Sequence, residues 1–192
     1  MTRHFNSDLC STTQIELLER LSLEGYKIRA LGPDQPVSQI RWEHVKIKQS
    51  RLKGRKGSSL ANNIVKFLEK NLGNCDLLFV DWALVGKVGA FADRNNIPWI
   101  CIDRSPPADS GFLSALQSRV WRRAWKYVSE STKSRNCLGG TVVSKSHKDL
   151  ISNEFQLESG ELCILMAGVN LSLFNAKAND ERCSGLNLVY HG

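Results

Sequence analysis

Residues 139–166 read GGTVVSKSHKDLISNEFQLESGELCILM, and the fold class is decided here. Gly140 to Val143 is a short apolar run that suits a strand, His147 to Phe155 reads as a helix, and Leu162 to Met166 reads as the next strand. Strand, helix and strand in this order make a unit whose two strands run parallel.

The same alternation extends in both directions. Upstream, Ser11 or Thr12 can cap a helix carrying Ile15, Leu18 and Leu21 on one stripe, with Gly25 as its C-terminal glycine. Tyr26 to Leu31 and His44 to Lys48 follow as strands, and Ser58 caps a helix with Leu60, Ile64, Phe67 and Leu68 inward. Asp76 to Val80 contains the run LLFV, suited to a strand buried on both faces, and it ends at Asp81. A helix from about Leu84 to Arg94, with close-packing glycines at 86 and 89, leads to the strand Trp99 to Ile102, which ends at Asp103. A loop, RSPPADSG, opens a long helix from about Phe112 to Ser131. The pattern predicts a Rossmann-like, doubly wound parallel α/β sheet with helices on both faces. Its first strand is short or truncated, because only Thr2 to Phe5 precedes the first turn.

Composition narrows the class. The 192 residues amount to about one domain, able to bury roughly 70% of the unfolded surface. No apolar run approaches the ~18 residues of a bilayer span, and MTRHFNSDLC has no apolar core of a secretory signal, so the cytoplasm is the default location. Cysteines 10, 75, 101, 137, 163 and 183 are too far apart for metal or redox spacing and read as reduced thiols. The histidines 4, 44, 147 and 191 are equally scattered, and no metal is expected. The net charge of +7 is uneven: Arg41 to Lys56 carries seven cations and one Glu, Arg119 to Arg135 six and one Glu, and the rest of the chain is slightly acidic.

In an open parallel sheet, ligands sit beyond the carboxyl ends of the strands. That rule selects His4 to Thr13, Asp81 and Trp82, Asp103 to Pro107, Ser144 to His147 and Ala167 to Asn170. Ser11, Thr12 and Thr13 stand at a helix start, where free amides and the helix dipole attract phosphate or where the hydroxyls simply cap. Asp103 beside Arg104 stays ionised and either meets substrate hydroxyls or caps the segment after Pro106 and Pro107. Ser144 and His147 begin a helix, and His147 is an acid or base near neutral pH or a capping residue. SALQSRVWRRAWKYVSE sets Trp121, Trp125 and Val128 on one stripe among Arg119, Arg122, Arg123 and Lys126. Such a helix either packs on a sheet with a solvated basic rim or lies on an anionic membrane, peripheral to its inner face, through Trp121, Trp125 and the nearby cations. Nucleic acid is not an expected partner, because IRWEHVKIKQSRLKGRKG offers a single aromatic, Trp42, and no recognised motif.

Val142 to Phe174 resembles the stretch where family four glycosyltransferases leave their N-terminal domain. It has a strand ending in Val-Ser, a helix, then Gly168, Val169 and Asn170, with Phe174 four residues on, and the apolar Leu186 to Tyr190 resembles the strand that opens their sugar-nucleotide domain. The resemblance implies a GT-B enzyme divided into residues 1–184, an acceptor-side Rossmann-like domain, and 185–192, the first strand of a donor-binding domain absent from this chain. It further implies retaining transfer of a sugar from a nucleotide sugar to a glycan or lipid-linked acceptor, without a metal or cofactor. Asp103 or Arg104 falls where many members carry a sugar-contacting histidine, and Ser11, Thr12 and Thr13 where they carry donor-facing glycines. Gly168 and Asn170 belong to the hinge, with Asn170 where Asp is usual. A chain lacking the donor lobe is expected to be inactive, because the groups that stabilise the leaving phosphate are missing. The alternative is a non-catalytic doubly wound module that binds a nucleotide or a partner protein.

Overall fold

The computed structural model describes residues 12–34, 40–52, 54–71, 73, 75–107, 112–134 and 136–166. The short strand expected at Thr2 to Phe5, the hinge at 168–170 and the final strand at 186–190 lie outside these residues, and with them the domain boundary at 184.

Helix α1 spans Thr12–Leu23. Gly25, at φ 91°, ends it: the Gly25 amide donates to the Ser22 carbonyl and the Tyr26 amide to the Leu21 carbonyl, at 3.1 and 3.2 Å. Those two bonds close a Schellman motif, which needs a left-handed residue at this point. Strand β1, Arg29–Gly32, pairs in parallel with β2, Glu43–Lys46. Helix α2 covers Lys56–Asn71 and buries Leu60, Ile64 and Leu68 at the i, i+4, i+8 spacing read from the sequence. It begins two residues before Ser58, so Ser58 is not its cap; Phe67 is half-buried.

The larger sheet is parallel, with strand order β3, β4, β5, β6, formed by Leu78–Asp81, Trp99–Ile102, Cys137–Val142 and Leu162–Ile164. Between these strands run α3, Val85–Arg94, then α4, Phe112–Ser134, and α5, Lys145–Phe155. Strand order equals chain order and α4 packs against both α3 and α5, which lays the three helices side by side on one face, as the usual right-handed crossover rule expects. The chain is thus an α/β protein with parallel sheets and a Rossmann-like arrangement.

One core unites these elements. Val80, Trp99, Cys101 and Val142 from the strands meet Val85, Val88 and Phe91 of α3, Trp125 and Val128 of α4, and Ile151 of α5, all buried. Each fully buried side chain of this kind contributes about 1.5–3 kcal/mol. Two glycines let β5 pass between its neighbours. A Cβ on Gly140 would lie 2.6 Å from the Trp125 ring; one on Gly139, at φ 104°, would lie 1.9 Å from the Glu161 carbonyl oxygen. Of the two glycines expected to pack closely in α3, only Gly89 does, against the Trp99 ring at 3.1 Å; Gly86 faces open space.

Trp121 and Trp125 are 4% and 0% exposed. The stripe they form therefore faces the sheet. Insertion of these two rings into lipid is excluded by their place in the core, and the cations around them make the solvated rim.

Candidate functional site

The carboxyl ends of β4, β5 and β6 open into a cleft of ≈ 200 Å³. Ile102, Asp103 and Arg104 line it from the end of β4, Thr141 and Val143 from β5, Leu165 from just beyond β6, and Gln14 and Leu17 from the start of α1. This is where the strand-end rule places a ligand in an open parallel sheet.

Asp103 anchors one wall. Its amide continues the ladder by donating to the Thr141 carbonyl at 2.9 Å, so the residue is held at the sheet edge before its side chain is considered. Its carboxylate is 1% exposed and receives a dense set of donors. The indole Nε1 groups of Trp121 and Trp125 donate to Oδ2 at 2.6 and 2.8 Å, and the Ser105 amide donates to Oδ1 at 3.1 Å. The two tryptophans lie four residues apart on α4, which aims both rings at the same point. A buried indole N–H seeks an acceptor, and a buried carboxylate seeks donors; each satisfies the other.

His147 completes the cluster from α5. Ser144 caps that helix, its hydroxyl accepting from the His147 amide at 3.1 Å. The cap fixes the first turn of α5 and brings the imidazole to Asp103, with Nε2 3.3 Å from Oδ2. The ring is 6% exposed, and its Nδ1 is buried without a hydrogen-bond partner among the described residues. When the imidazole carries a proton, the pair is an ion pair; when it does not, Asp103 still holds its indole donors.

The residues selected from the sequence divide accordingly. Asp103, Arg104, Ser144 and His147 are brought to one end of the larger sheet, where Asp103 and Arg104 line the cleft and Ser144 and His147 stand behind it. Thr12 and Thr13 begin the helix whose Gln14 reaches the cleft. Asp81 is occupied locally, accepting from the Ala83 amide at 2.9 Å and capping the turn Trp82–Leu84. Ser11, Gly168 and Asn170 lie outside the described residues.

Other cleft residues were not among those selected. Gln14, Leu17, Thr141, Val143 and Leu165 carry no chemistry that singles them out, and the rule that strand ends line a ligand site is the one signal that reaches Val143 and Leu165. Trp121 and Trp125 were seen as a stripe but not as partners of Asp103. Their indole N–H groups, buried by that stripe, were the available signal.

Two buried thiols sit in the larger sheet, Cys101 toward the cleft and Cys137 at the opposite end, where β5 begins. Burial pushes the Cys101 thiol far above its ordinary value, with the nearby charge of Asp103 adding to the shift. Burial also lifts Cys137, to about 12, against the opposing hydrogen bond with the Gly139 backbone. Cys75, Cys101, Cys137 and Cys163 are free thiols. Among the described residues no group of three or more His, Cys, Asp or Glu side chains is placed to hold a metal ion, and no helix is long and apolar enough to cross a membrane. Set against protein-family models and against curated proteins, the chain matches none.

Proposed function

We propose that this chain is the acceptor-side domain of a glycosyltransferase that moves a sugar from a nucleotide donor to a glycan or lipid-linked acceptor. The observation that carries the proposal is the cleft at the carboxyl ends of β4 to β6, walled by Asp103 and Arg104 and closed by the first turns of α1. A concave edge at the strand ends, with Leu17, Ile102, Val143 and Leu165 as apolar lining and Gln14, Asp103, Arg104 and Thr141 as polar groups, is the kind of surface an acceptor domain offers to a second lobe. The sequence resemblance over Val142 to Phe174 supports the same assignment.

Within that function Asp103 is a positioning residue. Its Oδ2 already takes two indole donors and faces His147, which leaves little of the carboxylate to meet a substrate. Arg104, next in the chain and lining the cleft, is the group suited to an anionic or hydroxyl-rich ligand. Nucleotide-sugar binding and bond cleavage belong to a partner lobe, whose cations stabilise the leaving diphosphate.

The experiment is calorimetry and product analysis with a panel of nucleotide sugars on the protein encoded by the complete reading frame. Binding of one donor and sugar transfer to an acceptor are expected, with Arg104→Ala lowering turnover at least tenfold, as loss of a positioned charged contact does. A protein that binds no nucleotide sugar contradicts the assignment. The alternative, a non-catalytic binding module, has its own support in the saturated Asp103; it is favoured if a nucleotide binds and no transfer follows.

A further inference from the structure

The stretch of α4 from Phe112 to Ser129 contains no Asp or Glu and four cations, Arg119, Arg122, Arg123 and Lys126. All four are exposed, and Arg122 also meets Glu154 of α5 at 3.1 Å. Interleaved with them, Leu116 is 51% and Val120 42% exposed. Leu116, Arg119, Val120 and Arg123 follow the i, i+3, i+4, i+7 spacing, which places them on one face, opposite the buried face of Trp121, Trp125 and Val128. The helix is therefore apolar on its inner side and mixed apolar and basic on its outer side.

We propose that this outer face docks on an anionic lipid bilayer. Leu116 and Val120 enter the boundary between headgroups and acyl chains, and Arg119, Arg123 and Lys126 lie at the level of the lipid phosphates. Charge complementarity selects this partner: cations with no acidic residue among them, set around exposed aliphatic side chains, match a surface that is both negative and apolar. A nucleic acid fits less well, because single-stranded binding relies on exposed aromatic platforms, and Trp42, Trp82, Trp99, Trp121 and Trp125 are all buried. Docking through this face also has a consequence for the cleft. The same helix bonds Asp103 of the cleft wall through Trp121 and Trp125, so the bilayer would lie close to the end of the sheet that carries the cleft. The inference stands without the transferase assignment, since binding is read without any activity.

Co-sedimentation of the full chain with phosphatidylcholine vesicles, prepared with and without phosphatidylglycerol, tests it. Binding is expected only to the vesicles containing phosphatidylglycerol and is expected to weaken as salt rises. The double substitution Arg119→Glu and Arg123→Glu should lower the partition coefficient by about tenfold or more. The double substitution Leu116→Ser and Val120→Ser should lower it severalfold and leave the salt dependence in place. All four positions are exposed, so circular dichroism and thermal midpoints should match the parent protein and confirm that both variants fold. Equal binding to neutral vesicles, no response to either variant, or binding to RNA without binding to vesicles would each overturn the proposal.

Discussion

Two buried carboxylates hold this molecule together from opposite ends of the larger sheet, and each does so by accepting indole N–H groups. Asp103 stands at the carboxyl end of β4, with Trp121, Trp125, the Ser105 amide and His147 around it. Asp93 stands at the last turn of α3, before β4 begins, and accepts from Trp99 Nε1 at 2.9 Å, Tyr127 Oη at 2.6 Å, Ser131 Oγ at 2.9 Å and the Asn136 amide at 3.3 Å. Both tie α4 to the strands beneath it, Asp103 through Trp121 and Trp125 at mid-helix and Asp93 through Tyr127 and Ser131 farther toward its end. They differ in the company they keep. Every donor to Asp93 named here is a neutral N–H or O–H group that stays protonated at any ordinary pH, whereas Asp103 faces a histidine and borders the cleft. The same device serves as a plain staple at one end and as the wall of the cleft at the other.

Removing the two carboxylates gives the largest expected effects. Asp93→Ala strands the Trp99, Tyr127 and Ser131 donors in the interior, and such a loss costs about 3–5 kcal/mol. Asp103→Ala strands two indoles and should cost somewhat less, about 3 kcal/mol. Urea unfolding ranks the two, and a larger loss for Asp103 would mean that the staple and the site have been assigned to the wrong ends.

Acid sharpens the contrast at Asp93. Burial alone would raise its pKa, but the hydrogen bonds from Tyr127, Trp99, Ser131 and Asn136 prevail and hold it below the ordinary carboxylate value. A group depressed in this way adds stability that is fully present above the unfolded value, about pH 4, and is lost as the pH falls below it. Wild-type protein should therefore lose stability more steeply below about pH 4 than Asp93→Asn does, as read from urea midpoints across an acid series. Parallel curves for the two proteins would show that Asp93 is not held ionised by its donors.

Gly140→Ala attacks the cleft end alone. The added methyl would lie 2.6 Å from the Trp125 ring, whose Nε1 is pinned to Asp103, so the ring cannot swing away without giving up that bond. A cost of about 1–3 kcal/mol is expected from overpacking. The near-ultraviolet circular dichroism should change with it, because Trp125 is displaced. A silent substitution would mean that the Trp125 ring is free to move.

Much of the fold is legible in the sequence, and the reasons are local. The strand Trp99 to Ile102 was read to the residue because Pro98 precedes it and Asp103 follows it. Gly25 announced the end of α1 because a left-handed turn there favours glycine. Strand ends also pointed to Asp103, Arg104 and the Ser144 to His147 turn, since parallel sheets place their sites by topology. What stayed hidden was contact across distance. Nothing near Asp93 reveals that Tyr127 and Ser131, 34 and 38 residues later, turn their hydroxyls toward it. Helix periodicity likewise gave the Trp121 and Trp125 stripe but not what covered it; packing on the sheet is the favoured reading and lipid the alternative, and the burial of both rings decides for the sheet.

The smallest expected effect separates the two staples by redundancy. Ser131 Oγ lies within reach of both Asp93 oxygens, at 3.0 and 2.9 Å, but Trp99, Tyr127 and the Asn136 amide already serve that carboxylate. Ser131→Ala removes one donor among several and leaves no stranded partner, so the loss should be about 1 kcal/mol or less. Trp121→Phe removes one of only two indole donors on Asp103 Oδ2 and also trims a buried ring, so about 2 kcal/mol is expected. The order of the two in urea unfolding is the measurement. If Ser131→Ala proved the costlier change, Asp93 would depend on a single hydroxyl, and the end without the cleft would be the more delicately balanced of the two.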